Sequence, residues 1–175
     1  AMYPKIAVID PELTLSVPKQ ITASTGLDVL SHAIESYWAT LNQPVCSACS
    51  IYAARLVFKW LEKAYNEPDN LEAREKMAEA SIVAGVAFSH PRTTGSHACS
   101  FPLTNIYGLP HGEACAFTLD YFVKFNADHA DGDGRITALA KDCGFENPYQ
   151  MADEITAMKK RMGMKSKLSE IGCTT

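Results

Sequence analysis

A mainly α fold, a helical bundle or array carrying one short N-terminal strand, is predicted by three observations. From Pro18 onward the apolar residues recur at helical spacing. Only Lys5-Ile-Ala-Val-Ile-Asp10 has a β-type pattern, and Pro11 stops it. The 175 residues are 47% apolar and 21% charged, enough to bury one core without disulfide or metal staples. Residues 1–12 are therefore assigned to a strand and connecting segment, and 13–175 to one all-helical domain. A lone strand cannot satisfy its own backbone groups. Lys5–Asp10 is expected to pair with another chain or to pack on a helix.

The elements follow in order. Gln20 to Thr40 carries Ile21, Leu27, Val29, Leu30, Ile34, Tyr37 and Trp38 as a broad buried stripe. A second helix runs from about Pro44 to Tyr65 with Val45, Ile51, Tyr52, Leu56, Phe58, Trp60 and Leu61. Asn66-Glu-Pro-Asp-Asn70 is a turn cluster. Leu71 to Phe88 forms a third helix. Its Ala80-Ser-Ile-Val-Ala-Gly-Val-Ala87 is apolar all round, which predicts a central position. Ser89 to Ser96 is a loop. Ser96 to about Tyr107 is a short helix or turn holding Pro102, broken by Gly108-Leu-Pro110. His111 to Phe125, Arg135 to Asp142 and Tyr149 to Met162 complete the helices. No repeat, low-complexity tract or linker interrupts them.

Composition excludes several function classes. The formal net charge of −4 disfavours a nucleic-acid or anionic-membrane surface. The longest apolar stretch, Ile82 to Phe88, falls far short of the roughly 20 residues that span a bilayer. No basic region followed by an apolar one opens the chain, so a cytoplasmic protein is expected, and Ala1 before Met2 looks like a cloning remnant. The six cysteines are expected to be free thiols. Cys46-Ser-Ala-Cys49 lies in a helical pattern without a second C-x-x-C, which fits two small packed residues better than a zinc or redox site.

The chemistry-bearing residues are histidines with one carboxylate. Asp28 and His32 are four apart, which places both on one helix face within about 6 Å at Cβ. They can share a divalent cation, form a buried hydrogen-bonded pair, or leave Asp28 to cap the helix with Thr25. His97, in Thr93-Thr-Gly-Ser-His97-Ala-Cys-Ser-Phe101, and His111, in Gly108-Leu-Pro-His111-Gly-Glu, both sit where a loop gives way to a helix. Small neighbours (Gly95, Ser96, Ala98, Gly112, Ala114) leave room for a ligand. Three His and one Asp form a mixed N/O set suited to Fe²⁺ or Zn²⁺. A core histidine bonded to a carbonyl is the alternative for each.

These residues resemble the iron-containing (group III) alcohol dehydrogenases. The likeness rests on Gly-Leu-Asp28-x-x-x-His32-Ala-Ile-Glu-x-Tyr, His97 in its small-residue turn, and Pro-His111-Gly fourteen residues later. Val8 to Pro18 is similar to the segment linking that family's two domains. The resemblance covers about Tyr3 to Asn126. It implies the helical C-terminal domain of the dehydroquinate synthase-like fold, with Asp28, His32, His97 and His111 holding the metal. It implies a metal that polarises an alcohol oxygen and stabilises an alkoxide, with hydride passing to NAD or NADP. Small alcohols or aldehydes are the implied substrates. Many members carry a second histidine four residues after the one matching His97, near the nicotinamide. Phe101 stands there, so a proton relay through that position is missing. No Gly-x-Gly-x-x-Gly occurs, so the chain is expected to be the metal-binding half, inactive alone. The alternatives are a non-catalytic metal-binding or oligomerisation fragment and a metal-dependent hydrolase. A homo-oligomer is expected from the strand edge and uncovered apolar surface.

The remaining signals carry less. Asp131-Gly-Asp133-Gly134 fails the calcium-loop register, because His129 and Ala140 fall on ligand positions, and is expected to be a solvated acidic turn. Lys159 to Lys167 is basic with two Met, and its Lys and Arg near a helix C-terminus are expected to complement the helix dipole rather than to form a partner-binding segment. Glu113 fits either a supporting position near the metal or an exposed first-turn carboxylate. His90 and His129 are assigned to the surface or to a structural role.

Overall fold

The computed structural model describes residues 4–173. Among them are seven α-helices: α1 (Lys19–Trp38), α2 (Pro44–Asn66), α3 (Leu71–Phe88), α4 (Gly95–Tyr107), α5 (His111–His129), α6 (Arg135–Asp142) and α7 (Pro148–Arg161). Short 3₁₀ turns lie at Pro11–Thr14 and Leu168–Ile171. The expected all-helical architecture is present. None of the described helices is long and apolar enough to cross a membrane.

The centre of the array is α1. Ala23, Leu27, Leu30, Ala33 and Ile34 are all fully buried. The helix packs against α2, α3, α4, α5 and α6. Burying each Leu or Ile stabilises the fold by roughly 1.5–3 kcal/mol. Glycines allow close helix contact at two points that matter for the site. A Cβ on Gly112 would lie 2.1 Å from the Ser24 carbonyl oxygen, so the start of α5 rests directly on α1. A Cβ on Gly95 would meet the Phe122 ring at 2.5 Å, so the start of α4 rests on α5. These glycines serve helix contact rather than ligand space, a correction to the reading of their neighbourhoods.

Three further expectations are corrected or decided, and the basic run holds one lysine the sequence did not place. No strand occurs among the described residues: Lys5–Asp10 forms no regular structure, with Ile6 and Val8 over 80% exposed. Its side chains favour β structure, but no neighbouring strand accepts its backbone bonds. The central helix is α1, not α3. Ile82 and Val86 on α3 face outward, because α2 and α1 cover only one side of it. The basic run does stand at the C-terminus of α7, as expected, but one of its lysines is internal. Lys159 is fully buried, with Nζ donating to Asp120 Oδ1 at 2.7 Å and to the Ala116 and Phe117 carbonyls at 3.1 and 3.3 Å. Glu113 is buried and accepts from the Lys165 amide at 2.8 Å, which fastens the C-terminal segment to α5.

Other details agree with expectation. The six cysteines are free. Asp131 accepts from the Ile136 and Thr137 amides and caps α6. His90 and His129 are exposed.

Candidate metal centre

The centre lies where α1, α4 and α5 meet. One turn of α1 places Asp28 and His32 together, with Asp28 Oδ2 3.8 Å from His32 Nδ1. His97 enters from the first turn of α4, its Nε2 3.5 Å from Asp28 Oδ1. His111 begins α5 and brings Nε2 to 4.0 Å from the same oxygen. The His32 and His97 rings lie 4.5 Å apart and the His97 and His111 rings 5.6 Å apart. Phe88 stacks on His32 at 4.2 Å and closes that side of the cluster. All four residues singled out in the sequence are thus brought together. The contact of Gly112 with α1 is what carries His111 to Asp28. Phe101 sits one turn beyond His97 and is 60% exposed.

Two residues in the cluster escape sequence reasoning. Glu35 is fully buried one turn from His32. Its carboxylate accepts from His97 Nδ1, from the Thr94 hydroxyl at 2.8 Å and from the Ser96 amide at 2.6 Å. Trp38 Nε1 in turn donates to Thr94 Oγ1 at 2.8 Å. An acidic residue inside an apolar stripe was the available signal. Cys115 is fully buried and places Sγ 3.5 Å from His111 Nε2. Its i,i+4 spacing from His111 repeats that of Asp28 and His32. The donors within 4.8 Å of one another are those of Asp28, His97, His111 and Cys115. His32 stands slightly outside this tighter set.

The electrostatics follow from burial and from the carboxylates. Burial pushes the Asp28 carboxyl up, but the three imidazoles outweigh it and hold Asp28 below its ordinary range. Burial likewise opposes charge on Glu35, and His97, Thr94 and Ser96 bring it down. His32 is lowered by burial against the pull of Asp28, which favours the neutral ring. Burial alone would lower His97 too. Asp28, Cys115 and Glu35 reverse this and hold it up at about 11. With Nδ1 donating to Glu35, a neutral His97 presents its lone pair on Nε2. Asp28 Oδ1 and His97 Nε2 are both buried, and apart from facing each other at 3.5 Å neither has a hydrogen-bond partner. Buried polar atoms without partners are rare and call for an explanation.

Beside the cluster is a cavity of about 590 Å³ between α1, α3 and the N-terminal segment. Asp28, His32, Thr22 and Arg74 are among its polar lining residues, and Val29, Met77, Ile82 and Phe88 among its apolar ones.

The family model for the Fe-containing alcohol dehydrogenase family, C-terminal, matches residues 22–175. The 1-propanol dehydrogenase PduQ of Salmonella typhimurium is 43% identical over 145 residues, 83% of this chain and 39% of the relative. Alcohol dehydrogenase 4 of Schizosaccharomyces pombe is 33% identical over 171 residues, 97% of this chain and 40% of the relative. Among solved structures, the sulfoacetaldehyde reductase of Bifidobacterium kashiwanohense in complex with NAD+ superposes with a TM-score of 0.95. It is 55% identical, over 98% of this chain and 45% of that one. The chain therefore spans about two fifths of the length of these curated relatives. It belongs to the Fe-containing alcohol dehydrogenase family and corresponds to the C-terminal domain of its members.

Proposed function

We propose that this member of the Fe-containing alcohol dehydrogenase family is the metal-holding half of an NAD(P)-dependent alcohol dehydrogenase or aldehyde reductase. Asp28, His32, His97 and His111 hold one divalent cation, Fe²⁺ first and Zn²⁺ second. The observation that carries this reading is the pair of buried, unpartnered atoms, Asp28 Oδ1 and His97 Nε2, facing each other at 3.5 Å. One carboxylate and three imidazoles suit either metal and leave the ion a net charge of about +1.

A bound cation supplies Lewis-acid polarisation of an alcohol or carbonyl oxygen. The chain's own residues do the rest of the positioning. Glu35 fixes the His97 ring through Nδ1 and directs Nε2 to the site. Phe88 covers His32 and keeps water from that face. The cavity at Asp28 and His32 suits a small substrate with an apolar body and one oxygen. The relative crystallised with NAD+ supports a nicotinamide as hydride partner. These 175 residues contain no Gly-x-Gly-x-x-Gly run to cradle a pyrophosphate. Residues 13–175 are the metal-binding unit in this reading, and 1–12 a connecting segment. Exposed Ile6, Val8, Leu13, Phe101 and Ile106 favour an assembled state, a homo-oligomer, which light scattering reads directly.

Anaerobic calorimetric titration of the full chain with Fe²⁺ and with Zn²⁺ tests the assignment. About one cation per folded chain is expected, and none in Asp28→Ala or His111→Ala. Unchanged stoichiometry in both variants would sink it. A second assay, with NAD+ or NADP+ and 1-propanol, is expected to give no appreciable turnover from this polypeptide alone, because positioning the nicotinamide supplies much of the rate.

A further inference from the structure

We propose that Cys115 is an alternative ligand of this centre, exchanging with His32. The site then owns a second, softer donor set of Asp28, His97, His111 and Cys115, one that prefers Zn²⁺ and Co²⁺ to Fe²⁺. This rests on the reading that Asp28, His97 and His111 hold a cation.

The geometry favours the thiol over His32 as fourth donor. Asp28, His97, His111 and Cys115 each offer an atom within 4.8 Å of the others, and His32 is not in that group. Tetrahedral zinc donors at about 2.0–2.3 Å from the ion stand roughly 3.3–3.8 Å apart. The separations here are 3.5 Å for Asp28 to His97, 4.0 Å for Asp28 to His111 and 3.5 Å for Cys115 to His111. The remaining pairs lie within 4.8 Å, so the donors have to draw in by at most about 1 Å. Cys115 and His111 lie one turn apart on α5, so they close on an ion together.

The second observation is independent of the cysteine. His97 is 7% exposed, and its Nε2 points into this space with no partner. Asp28 Oδ1, beside it, has none either. The sulfur therefore borders a space whose other walls are unused lone-pair donors. Binding releases the Cys115 thiol proton to solvent, and the Sγ–metal bond replaces S–H. Thiolate and carboxylate together carry two negative charges, which neutralise a divalent ion completely. Thiolates select zinc and cobalt over ferrous iron, whereas the set with His32 in place of Cys115 is harder. The same protein then has two overlapping sites, one with a residual positive charge and one without.

Cobalt reports the difference optically. Titrating the metal-stripped full chain with Co²⁺ is expected to produce visible d–d bands and a near-ultraviolet thiolate-to-cobalt charge-transfer band. Cys115→Ser is expected to keep the d–d bands and lose the charge-transfer band. Its zinc affinity is expected to fall about tenfold or more, with a smaller loss for Fe²⁺. His32→Ala is expected to retain the charge-transfer band. Cobalt binding without that band in the wild type, or a band that survives Cys115→Ser, overturns the proposal. If Asp28→Ala loses cobalt while Cys115→Ser matches the wild type in spectrum and zinc affinity, the metal assignment stands and the thiol ligand falls. If the wild type binds no cobalt, both fall.

Discussion

Asp28 and Asp120 are both carboxylates set among buried polar groups, yet their surroundings differ in one respect. Around Asp120 every group is matched. Lys159 Nζ has three acceptors, and Asp120 also takes the Thr156 hydroxyl at 2.5 Å and the Tyr121 amide at 3.1 Å. Around Asp28 the count does not close. Its Oδ1 and the His97 Nε2 opposite it are buried without partners, while Glu35 behind His97 is saturated. A closed network contributes to folding. An open one, braced from behind and opened toward a common point, is arranged for something that arrives later. The number of buried charges does not separate the two regions; what separates them is whether the donors and acceptors are used up.

The largest effect should come from the closed region. Lys159→Met leaves Asp120 buried and unpaired, and is expected to cost about 3–5 kcal/mol of stability in urea denaturation. Adding Asp120→Leu should return most of it, since removing both charges also removes the burial penalty. Metal bound per folded chain should not change in either variant. A loss of metal in Lys159→Met at full foldedness would join the two regions and break the contrast.

The open region should respond in affinity rather than in stability. Glu35→Gln keeps the shape of the side chain but weakens its hold on His97 Nδ1. Competition against a chelator is expected to show affinity for Zn²⁺ reduced by about 10–100-fold. An unchanged affinity would mean that His97 needs no brace.

Acidity sharpens the same point. In the metal-free chain His97 is held at about 11, above its ordinary 6.5. A raised imidazole stabilises the fold fully below about pH 6.5 and loses that contribution as pH rises through about 11. A cation on Nε2 has to displace this proton. In Cys115→Ser, which has no thiol proton to lose, affinity is therefore expected to rise about tenfold per pH unit from pH 7 to 9, with one proton released per ion. Calorimetry in buffers of different ionisation enthalpy measures that release. A flat profile would remove His97 from the ligand set.

The smallest effect concerns the acidic turn. Asp131 spends its oxygens on the Ile136 and Thr137 amides and the Thr137 hydroxyl. Asp131→Ala is expected to cost about 1 kcal/mol in thermal unfolding through the lost cap, with metal binding unchanged.

The helices were legible because their periodicity and their stops agree. Leu71–Phe88 and Arg135–Asp142 match expectation residue for residue, the first capped by Asn70 accepting the Ala73 amide. The strand was not legible, since Ile6-Ala-Val-Ile9 reports only the preference of the strand itself and strand formation also needs a partner. The apolar run on α3 gave the wrong position for a related reason: apolar composition does not say which neighbours exist. At the site, the Asp28–His32 pair was readable from spacing alone. The approach of His97 and His111 depends on close contacts of Gly95 with the Phe122 ring and of Gly112 with the Ser24 carbonyl, which are distant in sequence. Only the family resemblance linked those residues beforehand. The burial of Lys159 was not legible because its partner, Asp120, lies 39 residues away.

The most direct measurement is crystallographic. A crystal of the metal-stripped chain soaked in Zn²⁺, with data recorded on either side of the zinc absorption edge, locates the ion without reference to activity. One strong anomalous peak is expected between Asp28 Oδ1, His97 Nε2 and His111 Nε2, and none beside Asp120 and Lys159. An empty centre with peaks only on exposed carboxylates such as Asp133 would contradict the claim that the unpartnered atoms form a metal site.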